Sequence, residues 1–121
     1  MFFSARIIPG SGLASKQRVP TLNLSLEEIP NDLAEGIYAC RVSFDVISDA
    51  PAVMHYGLRP VHNLPRSCEV HLLERTIEHA PKSVIVKIIE RIRDVQDFEN
   101  AEQLTMAIRR DLVQARAILG A

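Results

Sequence analysis

Four stretches of this chain repeat their apolar residues at every second position, and the final stretch repeats them at every third or fourth. In residues 36–45, GIYACRVSFD, the side chains of Tyr38, Cys40, Val42 and Phe44 fall on one face of an extended backbone. Residues 51–58 (PAVMHYGL) and 67–74 (SCEVHLLE) follow the same rule. In the second of these, Cys68, Val70 and Leu72 share one face while Glu69, His71 and Leu73 share the other. Residues 83–92, SVIVKIIERI, are rich in β-branched side chains and favour a further strand. Between the strands lie connectors built from turn-forming residues: LEEIPNDLAEG, SDAP, RPVHNLP and EHAPK. Short strands at this spacing point to a barrel or sandwich rather than to βαβ units.

The period then changes. Ala101, Leu104, Ile108, Leu112, Ala115 and Leu119 recur on one face of a helix. Asn100 followed by Gln103 suits its start and Gly120 its stop, and Arg109, Arg110 and Arg116 sit away from the first turn, as the helix dipole prefers. The expected architecture is mainly β, a small antiparallel barrel closed by one long C-terminal helix. At 121 residues it forms a single domain, 1–121, able to bury a core without disulfides or metal.

A net charge of −1 lacks the basic footprint of a nucleic-acid binder, while a few local positive groups could still hold a small acidic or phosphorylated ligand. Cys40 and Cys68 have neither CxxC spacing nor flanking histidines, and are expected as buried thiols of a reducing compartment, with a disulfide between them as the alternative. The apolar start, MFFSARIIPGSG, is short for a signal peptide and is interrupted by Arg6. No apolar run approaches the roughly 18 residues of a membrane span. The expectation is a cytoplasmic protein with no membrane partner.

Residues 10–24, GSGLASKQRVPTLNL, carry the first candidate chemistry. Gly10 and Gly12 permit positive φ and close approach of backbone N–H groups to an anion, but the stretch lacks the lysine and final glycine of a P-loop. Locally it reads as a turn or as a partial phosphate cradle. If Pro20-Thr21-Leu22-Asn23 is extended, Thr21 and Asn23 present two neutral oxygens to one side, suited to a hard cation together with phosphate oxygens; the alternative is that both cap a turn. Glu69 is a candidate general base if its face lines a cleft, and His71 shares that face. Arg59 and Arg93 are the cations best placed to meet a phosphate or an aromatic ring. His55, His62 and His79 have no metal-ligand spacing, so no zinc or iron site is assigned.

Taken in order, these pieces resemble the riboflavin kinase (flavokinase) domain, which in bacteria usually forms the C-terminal half of bifunctional FAD synthetases. The resemblance rests on Ile7-Ile8, the glycine-containing loop, Pro20-Thr21-Leu22-Asn23-Leu24, Gly36-Ile37-Tyr38-Ala39, Gly57-Leu58-Arg59-Pro60, the intact Glu69-Val70-His71-Leu72-Leu73, and Ile92-Arg93 with Phe98. It implies a six-stranded Greek-key barrel with one helix, and ATP-dependent phosphorylation of the riboflavin 5′-hydroxyl to FMN. It further implies that Thr21 and Asn23 hold Mg²⁺ and the nucleotide phosphates, that Gly10, Gly12 and Lys16 line the nucleotide, that Arg59 and Arg93 contact ligand, and that Glu69 is the base. Leu13, Ala14 and Ser15 stand where the family has Arg-Gly-Arg, and Arg18-Val19 where it has Gly-Phe. With no adenylyltransferase half, the expected product is FMN rather than FAD. A non-catalytic flavin- or nucleotide-binding module on the same barrel is the second reading, and a kinase for another small hydroxylated substrate the third.

Overall fold

The computed structural model describes residues 1–8, 21–57, 66–73, 75, 77, 79–96 and 98–120. Pleat alternation organises them into β1 (Phe2–Arg6), β2 (Thr21–Asn23), β3 (Gly36–Phe44), β4 (Ile47–Gly57), β5 (Ser67–Leu72), β6 (Ser83–Arg93) and the helix α1 (Ala101–Leu119). The six strands form one antiparallel sheet in the order β1-β6-β3-β4-β5-β2. Strands β3, β4 and β5 meander and β6 returns beside β3, which is the Greek-key arrangement expected. The sheet curls into a half-barrel. Its two edges are drawn together where Ile7 bridges Leu24, with the Ile8 N–H donating to Asn23 O at 2.8 Å and the Ser25 N–H to Arg6 O at 2.8 Å.

Strands β3 and β4 feed two separate cores. Tyr38, Cys40, Val42 and Phe44 of β3 enter the barrel with Ala52 and Met54 of β4, Cys68, Val70 and Leu72 of β5, and Leu22 of β2. Burying these side chains contributes about 25 cal/mol per Å² of apolar surface removed from water. The opposite face of β3 and β4, Ile37, Ala39 and Val53, packs with Leu73 beneath Ala115 and Leu119 of α1. Both cysteines are free and buried inside the barrel, and burial pushes the Cys40 thiol up to about 12.

One expectation is corrected, one is refined, and one strand is added that the sequence pattern did not mark. The connector expected at 48–51 lies within β4; the turn falls at Asp45–Val46, where Asp45 takes a φ of 51°, a left-handed conformation that aspartate tolerates. Residues 2–6, which lack a strict alternation in sequence, form a strand because β6 supplies a partner along their whole length. The helix buries Ala115 and Leu119 of its apolar stripe, leaves Leu104 and Leu112 half-buried, and adds Ala107 and Asp111 to the buried ridge. Ala101 and Ile108 of the same stripe are exposed. Small side chains at 107 and 115 let the backbone approach the sheet, and Asp111 has a cationic partner there.

The helix ends behave as expected: the Asn100 side chain accepts from the Gln103 N–H at 2.9 Å, and Gly120 closes the helix at φ 69°. The guanidinium of Arg41 on β3 donates to Leu119 O at 2.6 Å, tying the last turn to the sheet.

Gly57 ends β4 at φ 146°, and a Cβ there would stand 2.8 Å from Glu35 Oε1 and 2.8 Å from Val95 Cγ2. Gly57→Ala is therefore expected to lower the unfolding free energy by about 1–3 kcal/mol in urea denaturation.

Candidate active site

Antiparallel register decides which side chains meet on the outer face of the sheet. Asn23 of β2 stands opposite Glu69 of β5, which stands opposite His55 of β4. One step along, Thr21 opposes His71, and His71 opposes Val53. The intervening residues Leu22, Val70 and Met54 point into the barrel. A row of three β2–β5–β4 polar residues thus backs onto an apolar core and faces the other way.

That face borders a cavity of about 230 Å³ between the sheet and the N-terminal half of α1. His55, Glu69 and His71 line it with Ile37 and Val53 from the sheet; Arg93, Gln96 and Phe98 enclose one side, and Leu104, Ile108, Asp111 and Leu112 of α1 form its roof. The cavity lies beside the place where Ala115 and Leu119 of α1 pack on the sheet.

Arg93 and Asp111 hold the roof to the floor. The Nε donates to Oδ1 at 2.8 Å and Nη2 to Oδ2 at 2.9 Å, a two-pronged pairing that matches the planar guanidinium to the carboxylate. The Arg93 Nη1 also donates to Asp94 O at 3.0 Å, and the guanidinium lies 5.8 Å from the Phe98 ring centroid. Side-chain exposure is 23% for Arg93 and 6% for Asp111, so the pair is shielded from bulk water.

The polar floor is ordered by its own contacts. The Thr21 hydroxyl and His71 Nδ1 lie 3.0 Å apart. With Nδ1 unprotonated, the hydroxyl donates to it and turns its lone pairs elsewhere. Burial holds His71 below the usual imidazole range, with Glu69 and then Asp111 opposing that shift. His55 is likewise lowered, first by burial, with Glu69 opposing. Both of its ring nitrogens are buried without a hydrogen-bond partner. Ser67 Oγ lies 3.5 Å from Glu69 Oε2.

The residues singled out in the sequence divide in two. Thr21, Asn23, Glu69 and Arg93 come together around this face. Gly10, Gly12, Lys16 and Arg59 lie outside the described residues. Among the described residues, no group of three His, Cys, Asp or Glu side chains is placed to hold a metal ion. Thr21 and Asn23 offer hard neutral oxygens at adjacent outer positions of β2, a donor set that fits a Mg²⁺ shared with phosphate oxygens and water. Sequence reasoning missed His55 and Asp111. The signal for Asp111 was present: it sits seven residues after Leu104 and four before Ala115, a charge inside an apolar stripe.

Comparison with known proteins bears on the family and the fold. A family model described as "Flavokinase: Riboflavin kinase" matches residues 1–119. The bifunctional riboflavin kinase/FMN adenylyltransferase of Escherichia coli is 30% identical over 118 residues, covering 97% of this chain and 37% of that protein. The corresponding protein of Pseudomonas fluorescens is 31% identical over 117 residues, again 37% of its length. The riboflavin kinase of Mus musculus is 27% identical over 121 residues, 95% of this chain and 78% of that protein. The chain therefore spans well under half of the bacterial proteins it matches. A solved structure described as a macrolide-efflux protein from Streptococcus pneumoniae superposes with a TM-score of 0.76 at 22% identity, covering 95% of this chain and 38% of that one, a likeness of fold.

Two outcomes test the electrostatics. Asp111→Ala strands a shielded guanidinium and is expected to destabilise by about 3–5 kcal/mol in denaturant titration, whereas an Arg93→Met, Asp111→Leu double variant recovers most of that loss. The lowered histidines set a pH trend: below about pH 6.5 the unfolded chain takes up protons that the folded chain resists, so stability falls as the pH falls. The urea midpoint is expected to be lower at about pH 5.5 than at about pH 7.5, with the difference reduced in a His55→Phe, His71→Gln variant.

Proposed function

The chain belongs to the riboflavin kinase family, and on that premise we propose that it transfers the γ-phosphate of ATP to the terminal hydroxyl of riboflavin, yielding FMN. The observation that carries the reading is the juxtaposition across β2 and β5: Asn23 stands opposite Glu69 and Thr21 opposite His71, and Glu69 and His71 line the cavity under α1. Nucleotide phosphates would meet the β2 side, and the flavin would enter from the cavity.

The chemistry asks little of the protein beyond position and charge. Mg²⁺ bound there would neutralise the phosphate oxygens and polarise the transferred group. Thr21 and Asn23 are its ligands in this proposal, and with His71 Nδ1 unprotonated the Thr21 hydroxyl would donate to it and keep its own lone pairs available. Glu69 accepts the proton of the riboflavin hydroxyl. As that oxygen forms its bond to the γ-phosphorus, the bond to the ADP oxygen breaks and ADP departs. Arg93 lines the cavity, while Gly10, Gly12, Lys16 and Arg59, the other proposed ligand contacts, lie outside the described residues. A kinase that draws on ATP belongs in the cytoplasm, and among the described residues no helix is long and apolar enough to cross a membrane.

Incubation with riboflavin and Mg-ATP followed by chromatography is expected to give FMN. Glu69→Gln should lower kcat by about 10²–10⁴-fold while riboflavin still binds. Thr21→Ala should raise the KM for Mg-ATP more than that for riboflavin; equal effects would make Thr21 a purely structural residue. Flavin binding without turnover would select a non-catalytic binding module, and absence of both binding and turnover would reject the kinase.

A further inference from the structure

His55 has no place in the reaction as derived, yet it occupies a costly position. It stands directly across from Glu69 in the β4–β5 register and lines the same cavity. Its neutral ring offers one donor and one acceptor. Both nitrogens are buried and neither has a hydrogen-bond partner. Groups of this kind are rare in folded proteins because burying them unpaired costs stability that an apolar ring of the same shape would not lose. His71, on the neighbouring strand position of the same face, is paired with Thr21 and leaves no such deficit. The deficit at His55 is therefore local to the wall beside Glu69, where a ligand would bring polar atoms into the cavity.

A cavity of about 230 Å³ is smaller than a site that swallows a whole drug-sized ligand, and suits one end of a molecule. Leu104, Ile108 and Leu112 of the roof offer no partner to the imidazole, and the polar lining residues Glu69, Arg93, Gln96 and Asp111 form no hydrogen bond with it, so a ligand in the cavity would supply the partner. The broad, roughly two-fold terminal torsion of histidine lets either nitrogen turn toward it at little cost.

We propose that His55 is a recognition residue for the hydroxyl chain of the flavin substrate, hydrogen-bonding a hydroxyl close to the one that Glu69 deprotonates. A polyol suits it because each hydroxyl both donates and accepts, as the neutral imidazole does. The inference rests on the riboflavin kinase reading and extends it to substrate specificity.

Calorimetry with riboflavin and with lumiflavin, which carries the ring system without the hydroxyl chain, tests it. His55→Phe is expected to weaken riboflavin binding about tenfold and to leave lumiflavin binding within about twofold. Without ligand, the same variant should melt no lower than the wild type, because an unpaired polar group has been removed. His55→Asn, which keeps a donor and an acceptor, should fall between the two for riboflavin. Equal losses for both flavins, no loss for riboflavin, or a lower melting temperature for His55→Phe would each overturn the role of His55 while leaving the kinase reading intact. A wild-type protein that binds neither flavin would remove the kinase reading and this inference together.

Discussion

The antiparallel register of β2, β5 and β4 is the constraint on which both the core and the site depend. Because successive side chains alternate across a pleated sheet, the pairing that sends Leu22, Val70 and Met54 into the barrel also sends Asn23, Glu69 and His55 outward in one row. A slip of one residue in β2 would move Leu22 out of the core and Thr21 and Asn23 into it. The cost of exposing a fully buried leucine thus protects the alignment of the polar row. The three-residue strand β2 is short for so much responsibility, and the bridge between Ile7 and Leu24 fixes it from its other side.

The helix supplies what the sheet cannot. Ala115 and Leu119 bring its C-terminal half against Ile37, Ala39 and Val53, and Arg41 holds its last turn. Leu104, Ile108 and Leu112 roof the cavity, and Arg93 with Asp111 ties α1 to β6 beside it. A shielded ion pair is a poor source of net stability but a strict selector of orientation, since a misdocked helix would leave both charges stranded. In the proposed kinase, the flavin lies under this roof and the phosphates at the β2 edge, so the helix angle sets the size of the substrate cavity.

The family also helps explain the mixture of stable and costly features. Most outer-face positions carry satisfied or solvated groups, but His55 is buried without partners beside Glu69. Local polar deficits of this kind are what a binding site looks like before its ligand supplies the missing hydrogen bonds.

Much of this was legible in the sequence. The period of two in 36–45 and 67–74 predicted β3 and β5 with the correct inward faces, because one face of each strand meets only apolar neighbours. The ordered motifs brought Thr21, Asn23 and Glu69 into one expectation, and Asn100 and Gly120 marked the helix ends because capping is a local interaction. The rest is nonlocal. The strand at Phe2–Arg6 exists because β6 pairs with it, and the buried ridge of α1 is chosen by Arg93, eighteen residues before Asp111. His55 reads in sequence as an ordinary strand histidine; only the β4–β5 register, a product of long-range pairing, sets it opposite Glu69 and beneath the helix. The sequence by itself determined which residues alternate, where the helix begins and ends, and which motif carries the polar side chains, since these depend on near neighbours. The tertiary structure alone decided which of those side chains share a cavity, because that depends on strands and a helix distant along the chain.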